Sequence, residues 1–117
     1  MELVLDKNQI KAADPNSFPS LINLKNLSIR ENRIKSLAHF DCLPNLQRLH
    51  LSNNRVHEIF EIERMKLPSL IEITMENTAI AKKQMYRILL MVQFPQIRII
   101  DGGEVCKEEK LRAEVFF

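Results

Sequence analysis

The sequence predicts an α/β fold: a right-handed solenoid of short stacked repeats. Short parallel strands form its concave face, mixed turns and helices its convex face, and a helical cap its C-terminal end. Three observations carry this. Four of the five prolines, Pro19, Pro44, Pro68 and Pro95, stand 25, 24 and 27 residues apart. An apolar pattern ending in Asn or Thr recurs in phase with them. The last third of the chain then changes to a helical period.

The chain opens on a truncated unit, Leu3-x-Leu5-x-x-Asn8-x-Ile10. Three full units follow. They are Leu24-x-x-Leu27-x-Ile29-x-x-Asn32-x-Ile34, Leu46-x-x-Leu49-x-Leu51-x-x-Asn54-x-Val56 and Leu70-x-x-Ile73-x-Met75-x-x-Thr78-x-Ile80. Within each, alternation sends Leu3/Leu5, Leu27/Ile29, Leu49/Leu51 and Ile73/Met75 to one face of a strand. A single short strand cannot bury that face, but stacked units make a parallel sheet with a continuous apolar interior. The polar position must turn inward where the strand ends. An Asn amide offers two donors and an acceptor to the turn backbone, so Asn8, Asn32 and Asn54 are expected to form a ladder. Thr78 has only a hydroxyl, and the ladder is expected to weaken there. Ile34, Leu37, Phe40 and Leu43 fill the space behind the sheet. The pre-strand prolines fix φ and end each convex segment.

Two units depart from the pattern. The third carries two extra residues within 58–66, which predicts a bulge or an added helical turn. The fourth is longer, and Ala81, Met85, Ile88, Leu89 and Val92 follow the spacing of an amphipathic helix. The methionines there read as packing residues.

The repeated L-x-x-L-x-L-x-x-N-x-I/L pattern resembles the leucine-rich repeat family over essentially the whole chain, in its intracellular class of 22-residue units. The tail resembles that class's C-terminal capping motif: Tyr86-Arg87, Pro95-x-Ile97-x-x-Ile100-Asp101, Val105, Glu109-Lys110, Ala113-Glu114 and Phe117. Similar caps occur in spliceosomal A-prime, acidic nuclear phosphoprotein and axonemal members, and Arg98 with the Val-to-Phe spacing is most similar to the A-prime version. The expected division is 1–96 for the repeats, four with the first truncated, and 97–117 for the cap. A cap must cover the last strand's open edge and apolar end. Ile97 and Ile100 are expected to finish the core, and Val105, Ala113, Phe116 and Phe117 to close it. Asp101 is expected to accept N–H bonds at the start of the final helix. No comparable cap opens the chain, so Leu3 and Leu5 read as an exposed terminal strand. The expectation is the last part of a longer array, in a long flagellar or ciliary member of the family.

Composition narrows the function. The two glycines, Gly102 and Gly103, are adjacent, which excludes phosphate-cradling loops built on spaced glycines. A net charge of +2 does not by itself imply a nucleic-acid or membrane partner. No apolar run reaches the length of a membrane span, and the first residues lack the regions of a secretory signal. Cys42 and Cys106 stand 64 positions apart without a C-x-x-C pair and read as reduced thiols of an intracellular protein. His39, His50 and His57 have no catalytic partners at motif spacing, so no enzyme activity and no cofactor is expected. Glu108, Glu109 and Glu114 read as a solvated helix face rather than a metal site.

What remains is binding. Alternation puts four rows on the concave face: Glu2, Asn26, Arg48, Glu72; Val4, Ser28, His50, Thr74; Asp6, Arg30, Ser52, Glu76; and Lys7, Glu31, Asn53, Asn77. Arg30, Arg48 and His50 form a modest basic centre, with Glu72 and Glu76 an acidic flank. The rows lack the basic stripe and stacking aromatics that direct RNA binding needs. The expected function is protein–protein interaction through Asn26, Ser28, Arg30, Arg48, His50, Ser52, Glu72, Thr74 and Glu76, with a protein partner of unknown identity. No direct nucleic acid, no membrane and no small-molecule ligand is expected. The setting implied is a cytoplasmic or ciliary scaffold. The alternatives are a spliceosomal A-prime-like RNA–protein assembly in the nucleus, or a phosphatase-regulator-like subunit.

Overall fold

The computed structural model describes residues 2–7, 23–37, 40 and 43–116, of which 113–116 are described by backbone alone. Asn8, His39, Cys42, Phe117 and the side chains of Ala113 and Phe116 lie outside the described residues.

Each repeat contributes a strand of three residues: β1 (Glu2–Val4), β2 (Asn26–Ser28), β3 (Arg48–His50) and β4 (Glu72–Thr74). They pair in parallel and in strict register, with Leu3, Leu27, Leu49 and Ile73 side by side. The central residue of each strand points inward. The next inward residue, at Leu5, Ile29, Leu51 or Met75, follows after the strand, and the ladder reaches the first three through Leu5 N–H to Ser28 O, Ile29 N–H to His50 O and Leu51 N–H to Thr74 O. Leu27, Ile29, Leu49, Leu51, Ile73 and Met75 are fully buried, whereas Leu3 on β1 and Leu5 just after it are half-buried. Ile34, Leu37, Phe40 and Leu43 fill the layer behind them.

Entry to the strands is set by proline. Leu46 N–H bonds Leu43 O, Leu70 N–H bonds Leu67 O, and Ile97 N–H bonds Phe94 O. Each pair closes a turn with Pro44, Pro68 or Pro95 at its second position, where a locked φ is pre-organised. Exit is set by a left-handed residue. Lys7, Glu31, Asn53 and Asn77 have φ of 58°, 55°, 61° and 58°, an uncommon conformation away from glycine. Alternation had assigned these four to a strand row; they are turn residues, and the chain has already left the sheet there.

The longer third repeat adds α1 (Glu61–Arg64), a single turn that sends Ile62 and the following Met65 into the core. In the fourth repeat, a 3₁₀ turn (Ile80–Lys82) precedes α2 (Tyr86–Gln93). The stripe predicted over Ala81, Met85, Ile88, Leu89 and Val92 is not the buried face. Lys83 is extended and breaks the phase, so the helix begins afresh and buries Tyr86, Leu90 and Met91 while Val92 is exposed.

The cap begins with β5 (Ile99–Ile100), parallel to β4, and closes with β6 (Gly103–Glu104), antiparallel to β5. The hairpin turn is Asp101-Gly102, with φ of 51° and 80°, the residue pair such a two-residue turn favours. Because this hairpin separates Asp101 from α3 (Lys107–Phe116), Asp101 does not cap that helix as expected. Its carboxylate reaches back instead, accepting the Met75 N–H at 2.7 Å and the Tyr86 hydroxyl at 3.0 Å. Burial, then the Asp101 charge, holds the Tyr86 phenol above its ordinary range. Ile97 and Ile100 are buried, and Val105 packs half-buried against the core. A fork from Arg87 to both oxygens of Glu109, at 2.7 and 3.2 Å, holds α3 to α2, with Lys110 Nζ donating to Pro95 O.

Candidate functional site: the concave sheet face

The register fixes which side chains share the concave face. Glu2, Asn26, Arg48 and Glu72 stand in one row, and Val4, Ser28, His50 and Thr74 in the next. Beyond the strands, Glu31 N–H bonds Ser52 O and Asn53 N–H bonds Glu76 O, so Arg30, Ser52 and Glu76 continue as neighbours.

Polar contacts tie the centre of this face together. Arg48 Nε lies 3.5 Å from Glu72 Oε1, and its Nη1 donates to Asn26 Oδ1 at 3.5 Å. His50 Nε2 is 3.9 Å from Glu72 Oε2, and His50 Nδ1 is 3.2 Å from Thr74 Oγ1. Burial, followed by the Arg30 charge, keeps the His50 imidazole below the usual histidine range, against the opposing pull of Glu72 and Asp6. The expected basic centre is therefore weaker than a count of side chains implies. Burial makes His50 hold its proton less readily than a free histidine, and Arg48 is already engaged by Glu72. Arg30 and Glu76 are exposed and project charge outward. Ser52 is only 7% exposed, so it is less a contact residue than a small residue between two charged ones.

The strand-end turns hold the face rigid. Asn32 Nδ2 donates to Ile29 O and Arg30 O of its own repeat and to Leu5 O of the preceding one, each at 3.0 Å. Asn54 Nδ2 does the same with Leu51 O, Ser52 O and Ile29 O, while its Oδ1 accepts the Ile34 N–H at 3.1 Å. Thr78 bonds Met75 O and accepts from Ala81 N–H, both inside its own repeat.

The roles of two positions escaped sequence reasoning. Asp6 accepts from Ser28 Oγ at 2.7 Å and from Arg30 N–H at 2.8 Å, bracing the first two repeats at the lip of the face. Alternation places it in the third row but does not mark this bracing role, because the other repeats carry Arg30, Ser52 and Glu76 at that place. Glu61 is buried on the convex side and accepts the Leu37 N–H at 2.8 Å and Ser36 Oγ at 3.4 Å, with Arg64 3.3 Å away. The only hint was an acid set between Phe60 and Ile62.

Elsewhere the surface offers less. A convex cleft of about 390 Å³ is lined by Met65, Leu67, Pro68 and Phe94, but the amides of Gln93 and Gln96 on its wall already bond Met65 O and Leu67 O. Among the described residues, no three potential ligands cluster to hold a metal, and no helix is long and apolar enough to cross a membrane.

Known proteins resemble this arrangement. The chain is 34% identical over 104 residues to the U2 small nuclear ribonucleoprotein A' of Schizosaccharomyces pombe, covering 86% of this chain and 44% of that protein. It is 28% identical to the acidic leucine-rich nuclear phosphoprotein 32 family member A of Drosophila melanogaster, covering 83% of this chain and 38% of that one. It thus spans less than half the length of these curated relatives. A chain in the crystal structure of the Drosophila melanogaster SNF/U2A' complex superposes with a TM-score of 0.91 at 26% identity, covering 99% of this chain and 67% of that one. A family model described as leucine-rich repeat matches residues 2–117, and the chain belongs to the leucine-rich repeat family.

Proposed function

We propose that the chain is a protein-docking module that engages a protein partner through its concave sheet face, in the manner of a U2A'-like subunit of a nuclear RNA–protein assembly. The observation that carries this reading is the superposition of nearly the whole chain on a protein crystallised in complex with SNF. The face supports it physically. Its side chains stand in register on a rigid sheet, and a cross-strand network fixes the central ones before any partner arrives, which lowers the ordering cost of association. The docking residues are Asn26, Ser28, Arg30, Arg48, His50, Glu72, Thr74 and Glu76, with Ser52 as the floor between Arg30 and Glu76. Contact with RNA would run through the partner, since the rows carry no stacking aromatic.

The names of the relatives favour a nuclear setting. A ciliary scaffold role, such as that of leucine-rich repeat-containing protein 9, draws no support from them, and neither does a phosphatase-regulator role.

The test is binding of purified SNF to the wild-type chain and to an Arg48→Glu/Glu72→Lys double variant. The swap keeps the internal ion pair but inverts its direction, so the fold is retained. Affinity should fall about tenfold or more, the scale of truncated or reversed contacts within an interface. Equal affinity would remove the concave face from the reading.

A further inference from the structure

The charges on the concave face divide into those spent on each other and those left over. Arg48, Glu72, His50, Thr74 and Asn26 form one connected network. Arg30 and Glu76 do not join it. Both are exposed, and among the described residues no hydrogen bond or ion pair from either side chain is present. They occupy equivalent places just past β2 and β4, with Ser52, small and uncharged, between them. Neighbouring strands lie about 4.8 Å apart, so the two positions are separated by about 10 Å. The sign changes between the middle strands and β4, with Arg30 and Arg48 before the change and Glu72 and Glu76 after it, while Glu2 and Asp6 flank the basic pair on the β1 side.

We propose that Arg30 and Glu76 are the charge-reading residues of this face. They select a partner segment that presents one carboxylate and one basic side chain about 10 Å apart on a single surface. A partner with two carboxylates would set one against Glu76, and a partner with two basic groups would set one against Arg30. Either mismatch replaces an attraction with a repulsion. The Arg48–Glu72–His50 network beside them is paired within the face, so it positions the site and is less free to discriminate by sign. Complementarity of this kind governs which partner is accepted and how fast it arrives more than how tightly it holds. The inference rests on the docking reading above and adds the partner's chemistry to it.

The experiment uses three alanine-based helical peptides that differ at two positions seven residues apart, a rise of about 10.5 Å along one face. These positions carry Glu/Lys, Glu/Glu or Lys/Lys. Each peptide is titrated into the isotope-labelled full chain at low ionic strength, and binding is read from saturable shifts of the Arg30, Ser52 and Glu76 amides. The Glu/Lys peptide should bind about fivefold more tightly than either like-charged peptide, the scale expected when one exposed pair changes from attractive to repulsive. Arg30→Glu should move the preference to Lys/Lys, and Glu76→Lys should move it to Glu/Glu. Both residues are exposed, and circular dichroism with unchanged melting checks that the variants fold. A wild-type preference that ignores sign, a preference that does not follow the two variants, or no saturable shift with any peptide overturns the proposal. SNF titrated into the same variants separates the two claims. An SNF footprint on the concave face without sign preference overturns this inference alone, whereas a footprint elsewhere overturns the docking reading as well.

Discussion

Replacing Asn54 by Ala should be among the most damaging single changes to this chain. The Asn54 amide is 8% exposed and makes four contacts: 2.8 Å to Leu51 O, 2.9 Å to Ile29 O, 3.3 Å to Ser52 O and 3.1 Å from Ile34 N–H. Truncation leaves the Ile34 N–H and the Ile29 and Leu51 carbonyls without that partner in a space closed to water. At about 1–1.5 kcal/mol for each of three good bonds, the loss is about 3–5 kcal/mol. A domain of this size has about 5–15 kcal/mol in total. With a urea slope of about 1.5 kcal/mol/M, the midpoint should fall by about 2–3 M. Asn54→Thr should cost about half as much. Thr78 shows why: its hydroxyl keeps the bond inside its own repeat, 2.6 Å to Met75 O, and makes none to the repeat before. Equilibrium urea unfolding followed by circular dichroism measures both variants. An Asn54→Ala protein within about 1 kcal/mol of wild type would refute the view that the strand-end amides join the repeats.

Because burial holds the His50 pKa below the ordinary value of 6.5, the unfolded chain takes up a proton there more readily than the folded one. The stability tied to this group is present above about pH 6.5 and is lost as pH falls through the folded value; in His50→Gln this part of the pH dependence should vanish from thermal melts between pH 7.5 and 5. Glu61→Ala should cost about 2 kcal/mol by orphaning the Leu37 N–H, again read from urea midpoints, although it lies on the convex side and leaves the concave rows untouched. Arg87→Ala should loosen α3 first. The fork to Glu109 is about one-third exposed and screened by water, so the cost is about 1 kcal/mol, and hydrogen exchange should rise in residues 107–112 before it rises in β3 or β4.

The sheet was legible because its cause is local. An apolar residue every second position, a proline before it and an Asn after it each act within a few bonds, and the unit returns often enough to be read by eye. The register of Leu3, Leu27, Leu49 and Ile73 follows from that count alone. Long-range pairings were not legible. Asp101 sits where a helix cap would be read, yet its partners are Met75 N–H and Tyr86 Oη, 26 and 15 positions away. Glu61 finds Leu37 across 24 residues. The α2 stripe was misread for a related reason: its apolar residues fit two helical faces, and only the break at Lys83 decides between them. On the concave face, alternation grouped the strand side chains into rows that the register keeps, although its fourth row lies in the turns. It could not tell that Arg48 is engaged by Glu72, that burial lowers the His50 pKa, or that Ser52 is buried, since each depends on what stands on the neighbouring strand.

The most direct test of the docking account is a footprint. The isotope-labelled chain is titrated with SNF, and amide shifts are mapped residue by residue. The account predicts that perturbations gather on Ser28, Arg30, Arg48, His50, Thr74 and Glu76, while α1, α2 and the convex cleft at Met65 and Phe94 stay unmoved. A footprint on the convex side, or spectra that SNF leaves unchanged, would contradict it.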